Sequence, residues 1–187
     1  MLGVKNTHTR TGSKRSEPKL KPELVPEPLW GITACKLLRP QSSWRSIRSD
    51  VLERVGHHCE ACGENTPPLY CHEQWRYDDR RAKAILMAFR IVCQNCNRSI
   101  HMGLAHNHGE LPEAVAQLAR VDAITEAEAN RMFERASEAW ERRSRKNWRV
   151  TVRPGLLKAY PQLCVLDGID TRSAALSNEA VPTIRLD

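Results

Sequence analysis

Two Cys-x-x-Cys pairs, Cys59-Glu60-Ala61-Cys62 and Cys93-Gln94-Asn95-Cys96, are separated by 30 residues in a chain of 187. Four thiolates carried on two such knuckles suit a tetrahedral Zn²⁺ with Zn–S bonds of about 2.3 Å and no open coordination position. The spacing therefore predicts one structural zinc on Cys59, Cys62, Cys93 and Cys96, and it assigns any chemistry to the residues that the zinc holds in place. A lone pair could serve thiol–disulfide exchange, and cysteines in general could form disulfides. Two pairs in a chain with no apolar leader at its start favour a metal in a reducing, cytoplasmic setting. Cys35 and Cys164 then read as reduced thiols that behave as small apolar side chains.

The formal charge of +7 and pI near 9.2 favour an anionic partner, most simply nucleic acid, although basic patches also occur on solvated faces without one. No apolar run approaches the roughly 18 residues of a membrane helix, so a soluble protein is expected. An apolar fraction of 41% is low for a fully packed chain of this length, which leaves part of it outside the core.

Residues 1–28 mix Lys5, Arg10, Lys14, Arg15, Lys19 and Lys21 with Pro18, Pro22, Pro26 and Pro28, without apolar periodicity, and read as a disordered basic tail. A domain over 29–108 follows. In it Ser43 can cap a helix carrying Trp44, Ile47, Val51 and Val55, which ends at Gly56. Leu69–Trp75 and Ile85–Val92 read as paired strands around a polar turn, and the second knuckle opens a helix through His101 that stops near Gly103. Over 109–152 a helical extension is expected. Its first helix has Pro112 in its opening turn, and its second opens on the capping box Thr125 to Glu128, with Ala129, Met132, Phe133, Ala136 and Trp140 on one face. Val150, Val152 and Leu156 suggest an edge strand, and 153–187 is expected as a C-terminal tail.

Knuckle, strand, strand, knuckle and helix is a ββα-metal order, and the residues Cys71-His72-Glu73-Gln74-Trp75-Arg76-Tyr77-Asp78, Cys93/Cys96-Asn97 and His101-Met102-Gly103 resemble the zinc-stapled HNH (His-Me finger) endonucleases. The resemblance runs in order over roughly residues 29–152. It implies an α+β fold, a zinc-stapled ββα finger with flanking helices and disordered tails, that hydrolyses phosphodiester bonds in DNA. It also implies that His72 is the general base, that Asn97 and His101 are metal or phosphate ligands, and that a divalent ion (Mg²⁺, Mn²⁺, Co²⁺ or Ni²⁺) neutralises charge on the phosphate.

Two positions depart from the family pattern. Cys71 stands where an Asp, a hard-ion ligand, is frequent, and Ala88 stands where the middle Asn is expected. Glu73 is the candidate replacement carboxylate, although strand alternation points it away from His72 unless a bulge intervenes. These departures keep open a second reading, a catalytically silent zinc module that binds nucleic acid or a protein partner. Arg142, Arg143, Arg145, Lys146 and Arg149 around Trp148 are candidate phosphate contacts, or equally a solvated helix face. Trp75 and Tyr77 read as core side chains before stacking platforms, and His57, His58, His106 and His108 as surface or loop residues.

Overall fold

In the computed structural model, which describes residues 18–174, Trp44, Ile47 and Val51 lie buried along one face of α2 (Gln41–Val55), after a short α1 (Ala34–Leu37). Pro40, rather than Ser43, occupies the N-cap, and Ser43 donates its N–H to the Pro40 carbonyl at 2.9 Å. At the other end Gly56, at φ 84°, turns the chain left-handed, and the N–H groups of Gly56 and His57 close on the Leu52 carbonyl. That turn delivers the chain to the first knuckle.

Strands β1 (Leu69–Asp78) and β2 (Lys83–Cys93) form an antiparallel hairpin, and β3 (Arg149–Val152) joins β2 in parallel on its other side, in the order β1-β2-β3. The apolar pattern of β2 changes phase midway: Ala84 and Leu86 are buried, then Phe89 and Ile91. A register shift accounts for it, because Gln74 pairs with Ala88 and Trp75 with Leu86, which leaves Met87 as an extra residue. Since side chains alternate with period two, this bulge returns the second half of the strand's apolar residues to the same face. Leu86, Phe89 and Ile91 then share one core with α2, Trp148, Val150 and Val152.

A second core gathers around Val92. It is built by α3 (Gln94–Ile100), α4 (Met102–Asn107), α5 (Leu111–Asp122) and α6 (Glu126–Ser144), with Ile100, Met102, Val115, Leu118 and Ala129 buried. The capping box is formed, with the Thr125 hydroxyl on the Glu128 N–H and the Glu128 carboxylate on the Thr125 N–H. The helix after the second knuckle does not stop at Gly103. It breaks earlier, at His101 (φ −91°, ψ 46°), and Gly103 lies inside α4, where an added Cβ would meet Leu24 Cγ at 3.1 Å. The close approach of Leu24, not a turn, is what this glycine accommodates.

Leu24 belongs to a segment expected as part of a disordered tail. Residues 1–17 lie outside the described residues, but from Pro18 the chain is strapped onto the second core. Leu20 is fully buried, Lys19 and Leu20 give their N–H groups to the Asp122 carboxylate at 2.6 and 3.1 Å, and Glu23 gives its N–H to the Ile100 carbonyl at 2.7 Å. The Val25 carbonyl accepts from the indoles of Trp30 and Trp140 at 2.8 and 3.2 Å. Polar anchors and one apolar plug hold this strap, and neither creates a periodic pattern.

The expected C-terminal tail is likewise packed where it is described. In α7 (Pro154–Ala159) and the 3₁₀ turn Pro161–Val165, Leu156 and Leu163 are buried, as is Leu166 just beyond. Gly168 and Ile169 bond back to Val150, the Thr171 hydroxyl accepts the Trp148 N–H at 2.8 Å, and a last short helix, α8 (Thr171–Ala174), follows. Residues 175–187 lie outside the described residues. Among the described residues no helix is long and apolar enough to cross a membrane.

Candidate metal centre and histidine cleft

Hydrogen bonds on both sides of the knuckles bring the four thiols together. Cys59 gives its N–H to the Glu64 carbonyl at 2.7 Å, and Glu60 is stitched to Ile91 twice, through its N–H at 2.9 Å and its carboxylate at 2.6 Å. The first knuckle is thereby held against the end of β2. Cys93 closes that strand and Cys96 sits in the opening turn of α3. The sulfurs of Cys59, Cys62, Cys93 and Cys96 all lie within 4.8 Å of one another, with Cys62 and Cys93 at 3.7 Å. Zn–S bonds of about 2.3 Å in a tetrahedron require S···S separations near 3.8 Å, so the donor set fits a closed Zn²⁺ site.

The surroundings of the cluster are also polar in the right sense. Gln117 Nε2 donates to Cys96 Sγ at 3.1 Å. The Cys59–Cys96 hydrogen bond holds the Cys59 thiol low and pushes the Cys96 thiol up, so the two sulfurs act on one proton as a pair. Cys71 stands apart from the cluster. It is packed against the first core, and burial, reinforced by the Glu73 charge, pushes its thiol up to about 12. Cys35 and Cys164 are free and exposed.

His72, Glu73, Asn97 and His101 all border one cleft of about 540 Å³ at the free edge of β1. His72, on β1, is 8% exposed, and its ring meets that of His101 edge to face at 4.9 Å. Burial, then the His72 charge, lowers the His101 imidazole to about 4. Asn97 lies one turn before His101 and accepts the His101 N–H at its backbone carbonyl, at 2.9 Å. Glu73 takes the other face of the strand. One of its oxygens accepts the Ala34 N–H at 2.8 Å, the other is buried with no hydrogen-bond partner, and burial is the main cause lifting the carboxyl to about 7.

One participant was not legible in the sequence. Glu23, from the strap, places Oε2 3.7 Å from His72 Nε2, and its Oε1 is buried without a partner. A second, polar cavity of about 440 Å³ shares Glu23 and His72 and is lined by Lys19, Lys21, Gln74 and Arg90. A third, of about 470 Å³, shares Glu23 and His101 and is walled by Trp30, Leu104, Phe133 and Trp140. No composition or spacing signal marks Glu23, because its position depends on the strap's long-range anchors.

A catalytic cation finds no donor set comparable to the thiol cluster. Among the described residues no other trio of His, Cys, Asp or Glu side chains is gathered to hold an ion. The bulge lies at Gln74/Trp75, beyond His72 and Glu73, so it does not bring those two onto one face. Of the five basic residues near Trp148, Arg143 forms a two-pronged pair with Asp79 (2.9 and 2.7 Å) and covers the Tyr77 ring at 4.6 Å, while Lys146 bonds the Asp79 carbonyl at 2.9 Å. Arg142, Arg145 and Arg149 are exposed, whereas Trp148 is buried against Tyr77 and cannot stack on a base. His57, His58, His106 and His108 are exposed.

Comparison with protein-family models, with curated proteins and with solved structures finds no match for this chain.

Proposed function

We propose that this chain is a zinc-stapled ββα protein of the HNH endonuclease type, hydrolysing phosphodiester bonds in nucleic acid, DNA first, with His72 as general base. The observation that carries this reading is the juxtaposition of His72 on the first strand with Asn97 and His101 on the following helical segment, in one cleft, beside a polar cavity that shares His72. Zn²⁺ on Cys59, Cys62, Cys93 and Cys96 supplies folding energy and fixes β2 against α3.

In this reading a phosphodiester lies against Lys19, Lys21 and Arg90, whose charges oppose the negative charge that builds on the phosphate oxygens. His72 takes a proton from a water in the cleft, a task suited to imidazole near neutral pH. Asn97 offers an amide to a phosphate oxygen, and His101, kept neutral by burial, can share that role. Among the described residues no trio of His, Cys, Asp or Glu side chains besides the thiol cluster is gathered to hold a divalent cation. Free Cys35 and Cys164 suit the reducing interior of a cell.

Ala88 and the absence, among the described residues, of a second converging ligand trio favour a second reading, a silent zinc module that binds nucleic acid or a protein. Incubating the zinc-loaded protein with linear, supercoiled, branched and single-stranded DNA, with each of Mg²⁺, Mn²⁺, Co²⁺ and Ni²⁺, separates the two. Cleavage of any substrate supports the enzyme; salt-sensitive binding without cleavage supports the module.

A further inference from the structure

The strap Pro18–Glu27 puts a carboxylate where the three cavities meet. Glu23 borders all of them; His72 is shared by the first and the polar one, and His101 by the first and the apolar one. The backbone at Glu23 is fixed by the bond from its N–H to the Ile100 carbonyl at 2.7 Å, three residues after fully buried Leu20, so its side chain is aimed rather than loosely placed. Its Oε2 approaches His72 Nε2 at 3.7 Å, with both side chains largely buried, at 17% and 7% exposure.

We propose that Glu23 is a positioning residue for His72: it draws the ring proton to Nε2, leaves the lone pair on Nδ1, and so presents His72 as a base. The proposal rests on the nuclease reading for its catalytic consequence, but the link between the two side chains stands apart from it. Ala88 pairs with Gln74 and offers no polar side chain, whereas Glu23 approaches the His72 ring from the strap.

Two physical arguments support this assignment over a structural salt link. First, a distance of 3.7 Å is an electrostatic contact just beyond hydrogen-bond reach, and a closure of about half an ångström makes it a charge-assisted bond. Catalytic hydrogen bonds are often long before substrate binds. Second, Oε1 is buried without a partner. A carboxylate kept partly unsatisfied weakens the fold, and groups retained at such a cost are characteristic of sites selected for function. The Tyr77 hydroxyl is the other polar group that faces this carboxylate.

The test uses the full-length, zinc-loaded chain. ¹⁵N chemical shifts of the His72 imidazole, read at alkaline pH where the ring is neutral, report its tautomer whether or not the protein cuts DNA. The expected result is the Nε2–H form in the wild type; an Nδ1–H form overturns the proposal. Glu23→Gln, which keeps size and shape, is expected to retain zinc and melt at the same or a higher Tm while shifting the His72 Nε2 resonance and losing about 100-fold in cleavage rate. An unshifted resonance, a lowered Tm as the main effect, or wild-type cleavage overturns the positioning role and leaves the nuclease reading intact. A wild type that cuts nothing, yet shows the Nε2–H tautomer and the shift in Glu23→Gln, overturns the nuclease reading and upholds the link.

Discussion

Gln117 on α5 and Cys96 on α3 are joined by a 3.1 Å hydrogen bond from amide to sulfur, deep between the two helices. The bond connects the thiol cluster to a helix that supplies none of its ligands. Gln117→Leu is expected to lower zinc affinity about 10- to 100-fold in a chelator competition, the usual effect of removing a partner of a metal ligand. It should also cost about 1–3 kcal/mol in a melt. Cys93→Ser should lose zinc and the cooperative transition of the finger altogether, because metal binding and folding share one free energy. A Cys93→Ser protein that melts like the parent would remove the zinc staple from the account.

Two buried groups in the cleft give opposing pH dependences. The Glu73 carboxyl is raised from its ordinary value of 4.5 to about 7, mainly by burial, so the folded state binds its proton more tightly and stability falls as pH rises from 4.5 through 7. His101 is lowered from 6.5 to about 4 by burial and by His72, so the folded state resists its protonation and stability falls as pH drops from 6.5 through 4. Between 4.5 and 6.5 the two slopes oppose, and the wild type should show a flat stability profile there. Glu73→Gln should expose the His101 slope, with stability climbing over that interval, and should be more stable than the wild type at pH 8. Denaturant melts across pH decide it; a Glu73→Gln profile parallel to the wild type contradicts the Glu73 assignment, and one that stays flat from 4.5 to 6.5 contradicts the His101 assignment.

Asp79 alters what the basic cluster can contribute to DNA binding. Arg143 and Lys146 are held on it, and the Arg143 hydrogen bond is the main cause keeping the Asp79 carboxyl below its ordinary range. Neutralising Arg142, Arg145 and Arg149 should flatten the salt dependence of duplex binding by about 0.9 for each lost phosphate contact. Arg143→Ala should instead loosen the hairpin turn, with a stability loss of less than about 1 kcal/mol for a pair this exposed, present at neutral pH and fading as acid protonates Asp79. An unchanged salt slope in the triple variant returns those residues to a solvated face.

Truncation tests the packing of the two end segments that the structure describes. Ending the chain at Arg153 removes Leu156, Leu163 and Leu166, each buried. Burial of such side chains contributes about 1.5–3 kcal/mol apiece, which together is comparable to the whole stability of a small domain. The shortened protein is expected to be unfolded or insoluble, and a chain starting at Leu29 should lose stability with Leu20 and its anchors. Normal melting of either truncation contradicts the packing described here.

What could be read from the chain was local. The thiol cluster followed from two knuckles whose spacing is itself the signal, Gly56 from the left-handed turn after α2, and the capping box from Thr125 and Glu128, three residues apart. What escaped depends on distant partners. Leu20 is a single apolar residue among prolines and lysines, and its burial goes with the anchoring of the backbone beside it by Asp122 and Arg90. The same holds for Glu23, which no pattern connects to His72. The β2 bulge was visible only as a change of phase between Leu86 and Phe89, which makes sense once Met87 is seen to be the extra residue.

The central claim is that His72 is a base and not a structural histidine. It is tested most directly by comparing DNA cleavage by the zinc-loaded wild type and His72→Ala, with zinc content, Tm and DNA affinity measured on the same preparations. The account predicts a loss of at least about 100-fold in cleavage rate in the variant, the scale of general acid–base catalysis, with zinc and affinity close to wild type. A wild type that cuts DNA while His72→Ala cuts it equally well would contradict the account, as would a variant whose only change is a lower Tm.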